Sequence, residues 1–519
     1  MRIVIPMSGI GKRFMDAGYN TPKPLIEVEG RPIIHHIIDL FPNETTFHFI
    51  CNSKHLLETN MRERILEKVP NAYLHSVDVN NRKGPVDAVL QIQAELPDNE
   101  EIIVSYCDYG TQWDYNSFLQ EMRSNKADGG IAAYIGFHPH MLKGDNYAFM
   151  KHENLWLTDI QEKKSFTENK MAEYASNGTY YFKSGALMKK YFQNLVDLSM
   201  TVNGEYYVSL VYKLMIEDHL FVRVFEIQRM LQWGTPSDLE DYLQWSDYFL
   251  KKKRKGLPFR GTEDYTLLLP MAGAGNRFRI QGYDIPKPLL PVDGKEMVVN
   301  AVDCLPPAKQ TVFVCLNEHL QQYPIQSTLE SNIPNTTVLS IPTVTEGQAC
   351  TCELGIQQAN IKRDTPLLIS ACDNGAYYDV NAFYKMMDDP SIDVIVWSFT
   401  NNPTSQLYPH WYAWLDVDTE NTIRDISIKK QFETKRAKHC IIGTMFFRTT
   451  GLFLEGLEHI YKTNSRTNGE FYVDNLLLPL IQKGYKVKAF EVENYLCWGT
   501  PNDYKTYQYW SEYFNTFHQ

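Results

Sequence analysis

Two glycine-rich segments, MSGIGKRFMDAGYNTPKPL from Met7 and MAGAGNRFRIQGYDIPKPL from Met271, stand 271 − 7 = 264 residues apart in a chain of 519. Later matches hold the same offset. Gly84 and Gly347 are 347 − 84 = 263 apart, and Asp108 in YCDYG and Asp373 in ACDNG are 373 − 108 = 265 apart. NGTYYF around Gly178 and IGTMFF around Gly443 keep 265, as do NGEYYV and NGEFYV (Asn203, Asn468) and the two WGTP motifs (Trp233, Trp498). An offset this steady points to a tandem duplication, with a unit far longer than a solenoid repeat of about 20–50 residues. The expected domains are 1–250 and 266–519, joined by a linker over 251–265. There KKKRKGLPFRGTED supplies charge and Gly-Pro punctuation.

Within each half, short apolar runs alternate with amphipathic stretches. The expected strands are Arg2–Pro6, Phe47–Cys51, Ile102–Ser105 and Ile131–Ile135, then Thr266–Pro270, Thr311–Leu316, Leu367–Ser370 and Val394–Phe399. This alternation predicts an α/β class, with a mainly parallel sheet flanked by helices in each half. YAFMKHENLWLTDI and YAWLDVDTENTIRDI read as hairpins added to those sheets. A net charge of −11 argues against a nucleic-acid backbone binder but leaves room for small anions held by local cations. The nine cysteines are odd in number and form no CxxC pair. No run is long and apolar enough to span a membrane, and no leader pattern opens the chain, so a cytoplasmic setting is expected.

The opening segment has a physical reading. A strand ends near Met7, and Gly9 and Gly11 then allow a tight turn that turns backbone N–H groups toward an anion. The third glycine of a dinucleotide fingerprint is missing, because Phe14 stands in its place. Arg13 and Arg277 recur, and a guanidinium with several donors suits a polyphosphate. Lys23 and Lys287 each sit between two prolines, which fix the local backbone and hold one ammonium in a set place. Asp108 and Asp373 follow apolar strands, where open α/β sheets bind ligands. Mg²⁺ on nucleotide phosphates needs only one or two such carboxylates.

In this order, GxGxRF, PKPL, the mid-domain glycine, the strand-end aspartate, Glu-Lys and the later glycine make each half resemble the sugar-phosphate nucleotidyltransferases. The resemblance implies two tandem Rossmann-like domains that move a nucleotidyl group from a nucleoside triphosphate to a sugar phosphate or similar acceptor, releasing pyrophosphate. It also implies a place in surface-polysaccharide precursor synthesis. By it, Ser8, Gly9, Gly11 and Gly84, with Ala272, Gly273, Gly275, Gly347 and Gln348, hold the nucleotide. Arg13, Lys23, Arg277 and Lys287 act on the phosphates, and Asp108 and Asp373 bind Mg²⁺ or Mn²⁺. Glu162, Lys163 and Gly178, with Lys429 and Gly443, meet the sugar phosphate.

The two halves depart from that pattern in opposite ways. The first has Pro85 where the second has Gln348, and the second has Ile428 where the first has Glu162. Gln232 and Cys497 occupy the place where a second metal-binding carboxylate is common in the family. Two rivals follow. One is a glycosyltransferase of the related nucleotide-sugar fold, for which Asp416-Val417-Asp418 has the letters of a metal motif but falls in a hairpin turn. The other is a half that binds nucleotide without turnover.

Overall fold

The structure, a computed structural model, describes residues 1–77, 83–273, 275–400, 402, 404–405, 408–432 and 439–516. The chain divides into two compact units, Met1–Leu243 and Gln244–Gln519.

In the first unit, the strands Tyr73–Val77, Phe47–Asn52, Arg2–Met7 and Ile102–Ser105 lie side by side and parallel. The fully buried strand Tyr174–Phe182 follows antiparallel, and Gly129–Tyr134 and Val222–Glu226 continue the sheet. The second unit repeats this order with Thr336–Ile341, Ala308–Leu316, Glu263–Met271, Leu367–Ile369, His439–Phe447, Val394–Phe399 and Val487–Glu491. The inner parallel strands Arg2–Met7, Ile102–Ser105, Glu263–Met271 and Leu367–Ile369 are mostly apolar and buried, as burial on both faces requires, whereas the outer ones carry exposed polar residues. Asp114 and Asp379 cap the helices Tyr115–Ser124 and Val380–Asp388, accepting backbone N–H groups at 2.9–3.1 Å.

Both hairpins form. Ala148–Glu153 pairs with Trp156–Glu162 around Asn154 and Leu155, both at positive φ, as a two-residue hairpin turn demands. Ala413–Val417 pairs with Ile423–Ile428. Gly178 and Gly443, at φ 100° and 97°, sit where the register of the long antiparallel strands slips against their neighbours. A glycine at positive φ is what such a bulge calls for.

The first five residues of the expected linker take regular structure. Lys251–Lys255, read as linker, is helical: the Pro236–Asp247 helix continues through a wider π turn at Tyr248–Lys252 and ends after Lys253–Lys255. Lysine is a good helix former, and Asp247 pairs with both Lys251 (3.3 Å) and Lys252 (3.0 Å). Gly256, at φ 67°, stops the helix.

Candidate functional site

In the first unit the chain runs outward from Arg2–Met7 through Phe47–Asn52 to Tyr73–Val77, then returns to the other side of Arg2–Met7 as Ile102–Ser105. The reversal opens a crevice at the carboxyl ends of these two adjacent parallel strands, the usual ligand position in open α/β sheets. The Ser8–Gly11 loop leaves one strand there and Asp108 follows the other. Gly11, at φ 70°, starts the short Lys12–Asp16 helix and packs close to Lys23, whose Cβ would stand 3.8 Å from a Cβ added at Gly11. Arg13 is exposed on that helix.

The Lys23 ammonium donates to Asp108 Oδ2 at 2.5 Å and to the Gly234 carbonyl at 3.1 Å. Tyr109–Gln112 pairs antiparallel with Arg229–Gln232, which carries the WGTP turn back against Asp108. Three segments distant in sequence therefore meet at one ion pair.

The second unit builds the same arrangement. Lys287 donates to Asp373 Oδ2 at 2.5 Å, and Trp498 N–H donates to the Asp373 carbonyl at 2.9 Å. Burial works against the Lys287 ammonium, yet Asp373 outweighs it and holds its pKa above the ordinary lysine value. A cleft of about 910 Å³ opens beside this pair, lined by Ala272, Gly273, Gly275, Gly347, Gln348 and Tyr472 among others. That volume is in the range of small-molecule sites. Arg277 is exposed and lies within electrostatic reach of Lys429, Tyr472 and Asp503.

Gly84 and Gly347 have a packing reason to be glycine. A Cβ on Gly347 would stand 2.5 Å from both the amide nitrogen and the carbonyl oxygen of Phe471, and one on Gly84 would stand 2.8 Å from those of Tyr206. Across each contact the backbones exchange bonds: Phe471 N–H donates to Glu346 and Ala349 N–H to Phe471, at 2.9 and 3.0 Å. Pro85 takes the first position of its helix, where its missing N–H leaves no intrahelical bond unmade, while Gln348 opens the second unit's helix at the cleft.

At the far end of the first site, Glu162 accepts from the Ser209 hydroxyl at 2.6 Å. Lys163, at φ 58°, donates to the Tyr207 hydroxyl at 2.5 Å, and that hydroxyl donates to Glu205. Gly178 packs against Tyr106, and its carbonyl accepts from the Tyr106 amide at 3.0 Å. Glu205 and Tyr207 belong to the repeated NGEYYV motif; the repeat was visible in the sequence, but their placement beside Lys163, 44 residues from Tyr207, was not. In the second unit Lys429 donates to the Trp411 carbonyl, and a Cβ on Gly443 would meet nothing within 4 Å.

Burial pushes the Glu162 carboxyl up to about 7, against the pull of Ser209 and Lys163. Its folded pKa thus lies above the ordinary 4.5. Its contribution to stability is complete below pH about 4.5 and is lost as pH rises through about 7. Glu162→Gln is therefore expected to be more stable relative to the parent at pH 8 than at pH 5, by roughly 1–2 kcal/mol after screening in an open cleft. Thermal unfolding at both pH values checks this; an equal difference at both counts against it.

Gln232 and Cys497 do stand beside the aspartates. Gln232 accepts from Gly234 N–H and donates to the Tyr147 hydroxyl, both at 3.3 Å. Cys497 donates to Asp503 at 3.4 Å, and Asp503 also accepts from Thr500 at 2.7 Å. Burial raises the Asp503 carboxyl, with Asp373 adding to the effect. The matching Asp238 is paired with Lys143 at 2.5 Å. Neither carboxylate was singled out from the sequence, because each looks like an ordinary first-turn helix residue. Among the described residues no group of three or more His, Cys, Asp or Glu could hold a metal ion. A divalent ion at Asp108 or Asp373 would have to complete its shell with substrate phosphates and water, which suits Mg²⁺. Asp418 accepts the Glu420 and Thr422 amides at 2.9 Å, so Asp416-Val417-Asp418 is a turn device.

A family model, Nucleotidyl transferase, matches residues 3–218. The bifunctional protein GlmU of Legionella pneumophila is 30% identical over 108 residues, 21% of this chain and 22% of that protein. GlmU of strain Corby is 22% identical over 223 residues, 42% of this chain and 45% of that protein. The chain thus spans less than half the length of these curated relatives. Among solved structures, the nucleoside-diphosphate-sugar pyrophosphorylase of Vibrio cholerae RC9 is 22% identical, covering 47% of this chain and 99% of that one, with a TM-score of 0.38. The inositol-1-phosphate CTP transferase of T. maritima is 15% identical, covering 49% and 97%, with a TM-score of 0.37. The match to the nucleotidyl transferase family model thus lies wholly within the first unit, Met1–Leu243.

Proposed function

We propose that each unit is a nucleotidyltransferase domain, that the two arose by duplication, and that each transfers a nucleotidyl group from a nucleoside triphosphate to a sugar phosphate or similar phosphorylated acceptor. The observation that carries this reading is the pair of matching ion pairs, Lys23–Asp108 and Lys287–Asp373, each built from residues more than 80 positions apart at a strand-end crevice. The match of residues 3–218 to the family model and the likeness to GlmU support it. An activated sugar or polyol for polymer synthesis is the product class that fits.

In this reading the Ser8–Gly11 loop and Arg13, and their counterparts Ala272, Gly273, Gly275 and Arg277, hold the triphosphate. Lys23 and Lys287 face the α-phosphate. A phosphate oxygen of the acceptor attacks the α-phosphorus. A new P–O bond forms, the bond to the β-phosphate bridging oxygen breaks, and pyrophosphate leaves with the electron pair. Bound Mg²⁺, held by Asp108 or Asp373, would neutralise phosphate charge. No covalent protein intermediate is needed, because alignment alone can supply effective molarities of about 10⁵–10⁸ M. The acceptor lies toward Glu162, Lys163 and Gly178 in the first unit, and toward Lys429 and Gly443 in the second.

The test is a matrix of CTP, UTP, GTP, ATP and dTTP against sugar and polyol phosphates, read by pyrophosphate release. Turnover is expected to vanish in chelator, to return with Mg²⁺ or Mn²⁺, and to be lost in the Asp108→Ala/Asp373→Ala chain. Release that persists in chelator, or in that variant, would sink the metal assignment. Binding of a triphosphate without release from any pair would favour a non-catalytic nucleotide-binding role.

A further inference from the structure

In the first unit a carboxylate enters the acceptor end of the site from a strand. Glu162 closes Trp156–Glu162, and Ser209, second residue of the Val208–Glu217 helix, touches it at 2.6 Å. The strand position and the helix position thus deliver their side chains to one spot.

The second unit keeps the backbone and exchanges the side chains. Ile428 pairs with Ala413 as Glu162 pairs with Ala148. The next residue is a lysine in the left-handed region in both, Lys429 at φ 61° and Lys163 at φ 58°. Its amide donates to Tyr412 at 3.0 Å in one unit and to Tyr147 at 2.8 Å in the other. On the helix side, Tyr472 (φ −83°, ψ 151°) and Tyr207 (φ −89°, ψ 145°) precede the first turn with matching geometry. The second residue of that turn is Asp474 where the first unit has Ser209. The strand position therefore loses its carboxylate and the matching helical position gains one.

We infer that Asp474 is the acceptor-recognising carboxylate of the second unit, and that it binds a hydroxyl of a phosphorylated acceptor whose opposite edge, facing Ile428, carries none. This rests on the nucleotidyltransferase reading of the cleft. Ile428 packs against the apolar core, so the strand side of the site offers no hydrogen bond. Among the described residues the Asp474 carboxylate has Lys429 as its electrostatic partner and no hydrogen bond to satisfy it. Burial pushes this carboxyl up to about 6 and Lys429 pulls it back. Lys429 in turn senses Asp474, Arg277 and Glu470, and Glu470 and Tyr472 of the same segment line the cleft. An aspartate in a first helical turn is also favourable to the helix dipole, but that term says nothing about the simultaneous loss of Glu162. A carboxylate accepts from hydroxyls at two oxygens, so moving it from one wall to the other changes which hydroxyl of the acceptor is read.

The test uses the full chain carrying Glu162→Gln and Lys163→Met, so that the acceptor end of the first unit is silent. Binding of glucose 1-phosphate, inositol 1-phosphate and hydroxyl-free choline phosphate is measured by calorimetry, and pyrophosphate release is measured in parallel. Adding Asp474→Asn, a near-isosteric change, should weaken at least one hydroxylated phosphate on the order of tenfold, the scale of one hydrogen bond to a charged group. Choline phosphate and triphosphate binding should not change. Adding Asp474→Ser with Ile428→Glu should restore affinity and shift preference toward that of the first unit. Unchanged binding in Asp474→Asn overturns the inference, as does failure of every hydroxylated phosphate to bind. Binding that depends on Asp474 without any pyrophosphate release would leave the inference standing and refute the transferase reading instead.

Discussion

Replacing Lys23 and Lys287 together by methionine is expected to lower pyrophosphate release by two to three orders of magnitude while leaving triphosphate binding largely intact. Methionine keeps the apolar stem and removes the ammonium. Each ammonium is held 2.5 Å from its aspartate by a backbone stiffened on both sides, with Pro22 at φ −54°, ψ 138° and Pro286 at φ −58°, ψ 141°. A fixed positive group aimed at developing negative charge contributes chiefly in the transition state, and losing one such donor typically costs about 10²–10³ in rate. The single variants separate the two units. Lys23→Met should remove one set of nucleotide and acceptor pairs from the activity matrix, and Lys287→Met the other. If either single change abolishes all turnover, or the double variant keeps a third of the parent rate, the two lysines do not serve two phosphoryl-transfer sites. Thermal midpoints measured alongside distinguish a chemical effect from loss of fold.

Gly347→Ala is expected to destabilise the second unit by about 3 kcal/mol or more. Two costs add. The residue sits at φ 146°, where an L side chain is strained, and the new methyl would press on backbone atoms of Phe471 at 2.5 Å. Backbone cannot rotate away as a side chain can, so the NGEFYV segment must move and break its bonds to Glu346 and Ala349. Gly443→Ala is the control. It has a comparable positive φ of 97° but no atom within 4 Å of the added carbon, so only backbone strain of about 1–2 kcal/mol applies. Denaturant unfolding of the full chain should show a clearly larger loss for Gly347→Ala; equal losses would mean that close packing is not why glycine stands there.

The exchange of Glu162 and Ser209 for Ile428 and Asp474 marks the boundary between what the sequence could tell and what it could not. Comparing the halves position by position showed Ile428 as a loss. Only the 2.6 Å contact of Ser209 with Glu162 in the first unit shows that these two positions meet, and it is this that makes Asp474, at the position matching Ser209, the candidate replacement.

The amino-acid sequence by itself determined the α/β class, the position of the eight apolar core strands though not all their ends, both hairpins, and which lysines, arginines and aspartates recur. Strand periodicity, turn residues and the constant offset are local or comparative signals that need no coordinates. Tertiary structure alone decided that Lys23 pairs with Asp108, that Glu205 and Tyr207 stand beside Lys163, and that Gly84 and Gly347 yield to the backbones of Tyr206 and Phe471. It also made the Lys251–Lys255 run helical, with Asp247 paired to Lys251 and Lys252. Each of these depends on which strand lies next to which, or on whether a run finds a partner within one helical turn. Sheet order brings residues 85 positions apart within 2.5 Å, and no local pattern encodes that distance.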